Sequence, residues 1–126
     1  PAVAASDPKP RSALPVIKAL PIAGADDVEA ARAYEDAAAW LMFDARPPEG
    51  ASRPGGNALA FDWELIRDRH WRPPWFLAGG LDADNVAEAV RTSGARAVDV
   101  SSGIEDSPGL KNPDKIRAFL EAVAGL

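Results

Sequence analysis

Short apolar segments alternate with helical patterns along most of the chain. The apolar segments are residues 15–20, 40–44, 75–78 and 97–100. Each is followed by Gly, Asp or Ser, which is typical of strands that end in loops. Repeated strand–helix units build a parallel sheet with right-handed crossovers. The pattern therefore predicts an α/β protein with four β-α units.

Polar residues mark the expected helix ends. Helix starts are predicted at Asp26 or Asp27, at Asp62, at Asp82 or Asp84, and at Asn112. The last start is the clearest, because the Asn112 side chain can accept from unpaired amides and Pro113 needs no hydrogen bond at a first helical position. Gly94 and Gly125 are expected to end the last two helices.

The four units predict how the chain is divided. Residues 1–15 are rich in Pro, Ala and Ser, and we expect a loop or the remnant of a preceding helix there. Residues 16–126 are expected to form the four units. A closed barrel has eight units, and an open sheet would need a finished edge strand, so the pattern favours half of a (β/α)8 barrel. Since the run of units begins abruptly, we expect a piece of a larger enzyme, and the lack of an initiator Met suggests a processed, trimmed or cloned fragment.

Composition excludes several kinds of partner and chemistry. With a net charge of −5 and a pI of about 4.8, the chain is a poor candidate for binding nucleic acid. No apolar run approaches the roughly 20 residues that span a bilayer, so we expect no membrane segment. The chain has no cysteine and one histidine, His70. These counts exclude disulfides, thiolate zinc sites, thiol nucleophiles and an imidazole cluster, so we expect catalysis by carboxylates, lysine or backbone groups.

Two loops that contain glycine follow the last two predicted strands. Gly79 and Gly80 lie in the first loop, and Ser101, Ser102 and Gly103 in the second. Glycine lets the backbone approach a ligand closely, and its amides can point at an anion. The first loop alone could be a plain strand-to-helix turn. Together the loops match the phosphate site that follows the seventh and eighth strands of many barrels.

Two aspartates lie at the ends of predicted strands. Because alternate side chains face the same side of a strand, Asp99 would face the barrel interior while Val98 and Val100 face the helices. Asp44 ends its strand in the same way, where catalytic side chains of barrels lie. Alternatively, Asp44 caps a turn. The roles of Lys18 and Arg46 stay open.

Seven motifs occur in an order that resembles phosphoribosylanthranilate isomerase of tryptophan biosynthesis, from about residue 16 to the end. The motifs are Leu-Met-Phe-Asp-Ala at 41–45, Pro-Gly-Gly-Asn at 54–57, Phe-Asp-Trp at 61–63, Leu-Ala-Gly-Gly-Leu at 77–81, Asn-Val at 85–86, Val-Asp-Val-Ser-Ser-Gly-Ile-Glu at 98–105 and Pro-Gly-Leu-Lys at 108–111. The chain departs from the family at Ala58, where a glycine is common. The resemblance implies the carboxyl-terminal half of the barrel, strands five to eight with their helices.

The resemblance also implies a reaction and roles for the candidate residues. The family catalyses an Amadori rearrangement of N-(5-phosphoribosyl)anthranilate without metal or cofactor, and such an enzyme is expected in the cytoplasm. Asp44 matches the general acid, and Asp99 matches a substrate-orienting aspartate. The two glycine-bearing loops match the phosphate site. The family's general base is a cysteine, which this chain lacks, so we expect the chain alone to be inactive.

Two other interpretations remain at this point. The chain could be another phosphate-binding barrel enzyme, although Phe-Asp-Trp at 61–63 and the position of Asp44 argue against it. It could also be a non-catalytic half-barrel that binds or scaffolds. The expected partners are the phosphorylated sugar-anthranilate substrate, and either a missing amino-terminal half or a second copy of the chain.

Overall fold

The computed structural model describes residues 14–45 and 62–126. Its strands are β1 (Ile17–Ile22), β2 (Trp40–Ala45), β3 (Trp75–Ala78), β4 (Glu105–Ser107) and β5 (Leu110–Lys111). Its α-helices are α1 (Ala25–Ala30), α2 (Val86–Ser93) and α3 (Pro113–Ala124), with 3₁₀ turns at Ala31–Tyr34, Trp63–Leu65 and Ser102–Ile104. Residues 1–13 of the predicted segment 1–15, and the positions of Arg46 and Ala58, lie outside the described residues.

A parallel sheet in the order β1-β2-β3 forms the centre of the described chain. Burial alternates along β2, where Leu41, Phe43 and Ala45 are buried and the residues between them are half-buried. The buried face packs against the helical side, with Val28 of α1 and Val86 of α2 in the same core. Burial of each such large apolar side chain contributes about 1.5–3 kcal/mol. Packing of this one face against the helices holds the sheet in place. The candidate residue Asp44 lies on the opposite face.

The predicted carboxyl-terminal half-barrel of four regular β-α units is wrong. Residues 97–100 do not form a strand; one parallel bridge joins Leu77 to Val98. The ladder stops because Gly79 turns away from β3 with φ of 94°, while Ser101 leaves the extended region with φ of −133° and ψ of −84°. The chain instead adds a two-stranded antiparallel sheet, β4-β5. The described residues therefore form a small α/β domain with a three-stranded parallel sheet.

Most predicted helix ends are close to the observed ones. Asn112 is confirmed as a cap, since its Oδ1 accepts from the amides of Asp114 at 2.7 Å and Lys115 at 3.3 Å. Asp62 caps only a 3₁₀ turn. The prediction for α1 was displaced: Gly24 is the cap, and Asp27 reaches back to accept from the Gly24 amide at 3.1 Å.

No helix within residues 14–45 and 62–126 is both long and apolar enough to cross a bilayer. Over the same residues, no cluster of three or more His, Cys, Asp or Glu side chains could hold a metal ion.

Candidate functional site

Asp44 lies against the first glycine loop. Its backbone pairs with Ala78 in the β2-β3 ladder, so it lies beside the end of β3. A methyl group placed on Gly79 would lie 2.6 Å from Asp44 Oδ1 and would overlap the backbone oxygen of Ala45. Only a residue without a side chain fits there. The close approach brings the half-buried carboxyl group of Asp44 directly to the loop backbone.

Two glycines with positive φ and one asparagine shape this first loop. Gly79 has φ of 94° and Gly80 has φ of 69°, values that glycine adopts without steric penalty. The Asn85 side chain spans the loop: Nδ2 donates to the Gly80 carbonyl at 2.9 Å, and Oδ1 accepts from the Asp82 amide at 2.8 Å. Asp82 Oδ1 in turn accepts from the amides of Asp84 and Asn85 at 2.8 and 2.9 Å. These bonds hold the loop open at the start of α2.

The second loop packs directly on the first. A methyl group on Gly103 would overlap the carbonyl oxygen of Leu81 and lie 3.1 Å from the Asp82 Cα. Since Leu81 follows Gly80 along the chain, the two loops touch, and Gly103 lies close to Gly80. The structure thus brings together Asp44, the Gly79-Gly80 turn and the Ser101–Gly103 turn.

Unpaired backbone amides occur in both loops. Within the part of the chain that the structure describes, the amides of Gly80, Ser102 and Gly103 donate no hydrogen bond. Buried amides are nearly always paired, so unpaired amides gathered in one place on the surface suit a ligand that accepts hydrogen bonds.

Two other candidates differ in position: Asp99 lies beside β3, and Lys18 lies on the helical side of the sheet. Asp99 is exposed on the segment after the β3 bridge, where its amide donates to the Leu77 carbonyl at 2.9 Å. Its carboxylate makes no hydrogen bond among the described residues. Lys18 Nζ lies 4.6 Å from the centre of the Tyr34 ring, on the helical side of the sheet. The structure therefore does not bring Lys18 to the loops.

Two residues near the loops received no role from the sequence. Asn85 bridges the first loop, and Lys111 Nζ donates to the Ser101 carbonyl in the second loop at 3.1 Å. Both stand in the motifs that carry the resemblance, at 85–86 and 108–111. Both side chains donate to backbone carbonyls, and a residue pattern does not show which carbonyl a side chain reaches. Their place in these motifs was the only sequence signal for a role at the loops.

Comparison with known proteins supports the family suggested by the motifs. The family model described as N-(5'phosphoribosyl)anthranilate (PRA) isomerase matches residues 7–122. N-(5'-phosphoribosyl)anthranilate isomerase of Paramagnetospirillum magneticum is 58% identical over 112 residues, covering 89% of this chain and 52% of that protein. The chain thus spans about half the length of the curated relatives it matches.

Solved structures give the same result. The crystal structure of phosphoribosyl anthranilate isomerase from Thermotoga maritima has a TM-score of 0.73 at 37% identity, covering 90% of this chain and 53% of that one. The structure of an isomerase in complex with reduced 1-(o-carboxyphenylamino)-1-deoxyribulose 5-phosphate has a TM-score of 0.69 at 34% identity, covering 90% of this chain and 50% of that one. These matches do not make the chain a carboxyl-terminal half-barrel, since its described residues form the smaller domain given above. The chain belongs to the N-(5'-phosphoribosyl)anthranilate isomerase family.

Proposed function

We propose that this chain contributes the phosphate-binding loops and the general acid of a phosphoribosylanthranilate isomerase in tryptophan biosynthesis. Two contacts carry the proposal. The Asp44 carboxyl group lies against Gly79 of the first loop, and Gly103 of the second loop lies against Leu81 of the first. A substrate that joins a phosphate to a sugar ring needs an anion site and a proton donor in such close reach. The family relative bound to a reduced 5-phosphate compound supports the same substrate class.

In this proposal the substrate phosphate binds between the two loops. The amides of Gly80, Ser102 and Gly103 would donate to its oxygens, with the hydroxyls of Ser101 and Ser102 beside them. Hydrogen bonds to a charged acceptor contribute about 1.5–3 kcal/mol each. A chain with net charge −5 can bind a dianion in this way because backbone dipoles, rather than net charge, provide the local positive potential.

Asp44 would act on the other end of the sugar. Its carboxyl group donates a proton to the ribose ring oxygen as the C1–O bond breaks, and the lone pair of the anthranilate nitrogen forms the C=N bond of an iminium ion. A base then removes the C2 proton to give an enol-amine, which becomes the ketose when C1 gains a proton and the C2 hydroxyl loses its own. We propose a substrate-orienting role for Asp99.

The base must come from outside these residues. The family resemblance implies a cysteine, and this chain has none. We therefore propose that the chain alone is inactive, since loss of a general base costs about 10²–10⁴-fold in rate. Either a polypeptide that supplies the base or a second copy would be its partner. The apolar Val16 and Ile17, 44% and 51% exposed at the β1 edge, favour such association. We propose a cytoplasmic location, as the family resemblance implies.

Ligand binding by the chain itself tests the phosphate site. Inorganic phosphate is titrated into the ¹⁵N-labelled chain, and the amide shifts are followed by NMR. The proposal expects saturable shifts centred on Gly80, Ser102 and Gly103. Sodium chloride at matched ionic strength is the control. Shifts spread evenly over the surface, or absent from both loops, would contradict the phosphate site.

A chimera tests the general acid. The chain is joined to the part of the Thermotoga maritima isomerase that its match leaves uncovered, and isomerase activity is measured by loss of anthranilate-type fluorescence. In an active chimera, Asp44→Asn should lower kcat about 10²–10⁴-fold with little change in KM. Asp36→Asn is the matched control, because Asp36 is exposed and bonded to Arg72. An Asp44→Asn chimera with unchanged kcat would exclude the acid role.

A further inference from the structure

The Lys111 ammonium group connects the β4-β5 hairpin to the second loop. Lys111 lies opposite Glu105 in the antiparallel pair. Its Nζ donates to Glu105 Oε2 at 2.6 Å and to the Ser101 carbonyl at 3.1 Å. The Ser101 carbonyl also accepts from the Ile104 amide at 3.3 Å. Two donors from different parts of the chain thus hold a single carbonyl of the loop.

Glu105 fixes the position of the ammonium group. The Glu105 side chain is only 12% exposed. The hydrogen bond from Lys111 lowers the pKa of the Glu105 carboxyl, and the charge of Lys111 and a backbone hydrogen bond from Gly109 act in the same direction. Glu105 is therefore ionised near neutral pH and anchors Lys111. A charge-assisted pair of this kind is stronger than a neutral hydrogen bond.

Fixing this carbonyl also orients the next amide. The Ser101–Ser102 peptide is trans, and in a planar trans peptide the C=O and the following N–H point in opposite directions. While the Ser101 carbonyl points at Lys111, the Ser102 N–H must point away from the hairpin. That amide donates no hydrogen bond to another described residue, so it is available to a ligand.

We propose that Lys111 is a positioning residue: held by Glu105, it fixes the Ser101 carbonyl and thereby aims the Ser102 amide at the substrate phosphate. This inference rests on the proposed function, because the phosphate is the ligand of that amide. Lys111 acts through the peptide plane, and its own charge is neutralised by Glu105.

Lys115 of α3 offers a matched control, because it also bonds to the hairpin. Its Nζ donates to the Glu105 carbonyl at 2.9 Å and pairs with Asp106 at 3.3 Å. It resembles Lys111 in charge and in exposure, 47% against 45%, but it has no bond to Ser101. If Lys111 served only to stabilise the hairpin or to attract anions by its charge, loss of either lysine would have a similar effect.

The experiment compares Lys111→Met, Lys111→Arg and Lys115→Met in the full chain, with inorganic phosphate as the probe. Loss of one charge-assisted bond should weaken phosphate binding about tenfold in Lys111→Met. Lys115→Met should bind as the unchanged chain does, and Lys111→Arg should recover most of the affinity. Equal weakening by Lys111→Met and Lys115→Met would overturn the proposal, and so would unchanged binding by Lys111→Met.

A second measurement needs no ligand. The NMR shift and the hydrogen exchange rate of the Ser102 amide should change in Lys111→Met and stay as they are in Lys115→Met. If the unchanged chain binds no phosphate, the proposed function fails, while this measurement still decides whether Lys111 orients the peptide. An unaltered Ser102 amide in a folded Lys111→Met chain refutes the positioning role, whatever the phosphate result.

Discussion

Alanine substitutions at Gly79 and Gly80 distinguish two reasons why a position requires glycine: a positive φ, and a lack of space for a side chain. Both positions have positive φ, 94° and 69°, so both substitutions meet the penalty of a side chain in the left-handed region, about 1–2 kcal/mol. They differ in space: a Gly80 Cβ would meet no atom within 4 Å, whereas a Gly79 Cβ would lie 2.6 Å from both Ala45 N and Asp44 Oδ1. The pair therefore isolates the close approach between the loop and Asp44.

The structure sets the expected size of the difference. Gly80→Ala should lower the free energy of unfolding by the conformational penalty alone. Gly79→Ala adds the cost of overpacking against two backbone atoms of Ala45, about 1–3 kcal/mol. Its φ of 94° is also further from the left-handed minimum near 57°. Gly79→Ala should therefore be the less stable variant by at least about 1 kcal/mol.

Urea unfolding of the two variants measures this difference through the midpoint, at constant slope m. A phosphate titration of each variant then shows whether the loop conformation has changed. Gly79→Ala should weaken phosphate binding more than Gly80→Ala, because it moves the loop away from Ala45. If the variants unfold at the same urea concentration, the backbone of Gly79 is not packed against Ala45 and Asp44 as described, and the reasoning fails.

Two further predictions concern the supports of the loops. Asn85→Ala removes both side-chain bonds across the first loop and should cost about 1–3 kcal/mol in urea unfolding. Asn85→Asp loses the bond to the Gly80 carbonyl but keeps the acceptor for the Asp82 amide, so it should cost less; equal costs would mean that the bond from the Asp82 amide contributes nothing. The pKa values of Glu105 and Asp106 are lowered by hydrogen bonds, from Lys111 and from Asn112 and Lys115 respectively. Their contribution to hairpin stability should be complete above about pH 5 and be lost on acidification below the ordinary carboxyl range near pH 4. An NMR titration should show the Glu105 pKa returning towards its ordinary value in Lys111→Met, and a Glu105 pKa at that value in the unchanged chain would contradict the assignment.

The local elements of this protein follow from its sequence. The three strands of the sheet lie at three of the four predicted apolar segments, since alternation of apolar residues is a property of each segment by itself. Asn112 and Gly94 mark helix ends for equally local reasons: a side-chain oxygen reaches amides two and three residues ahead, and a glycine adopts a φ of 83°. The two glycine loops could be predicted from the sequence because the glycines that form them are also local features.

The fate of the fourth segment depended on its neighbours. Residues 97–100 have the composition of a strand, but a strand exists only where a partner continues the ladder. Their partner, β3, ends at Ala78, because Gly79 and Gly80 turn the backbone at once. A pattern confined to 97–100 carries no information about where its partner stops, so the half-barrel prediction failed there.

The sequence by itself determined the three strands of the parallel sheet, the helix ends at Asn112 and Gly94, which loops hold glycines, and which family the motifs resemble. Only the tertiary structure decided that Asp44 touches Gly79, that Gly103 rests on Leu81, and that Lys111 holds the Ser101 carbonyl. Hydrophobic periodicity and capping act within a few residues and are written in the local sequence. Contacts with backbone carbonyls depend on how distant segments fold onto each other, and every residue presents the same carbonyl.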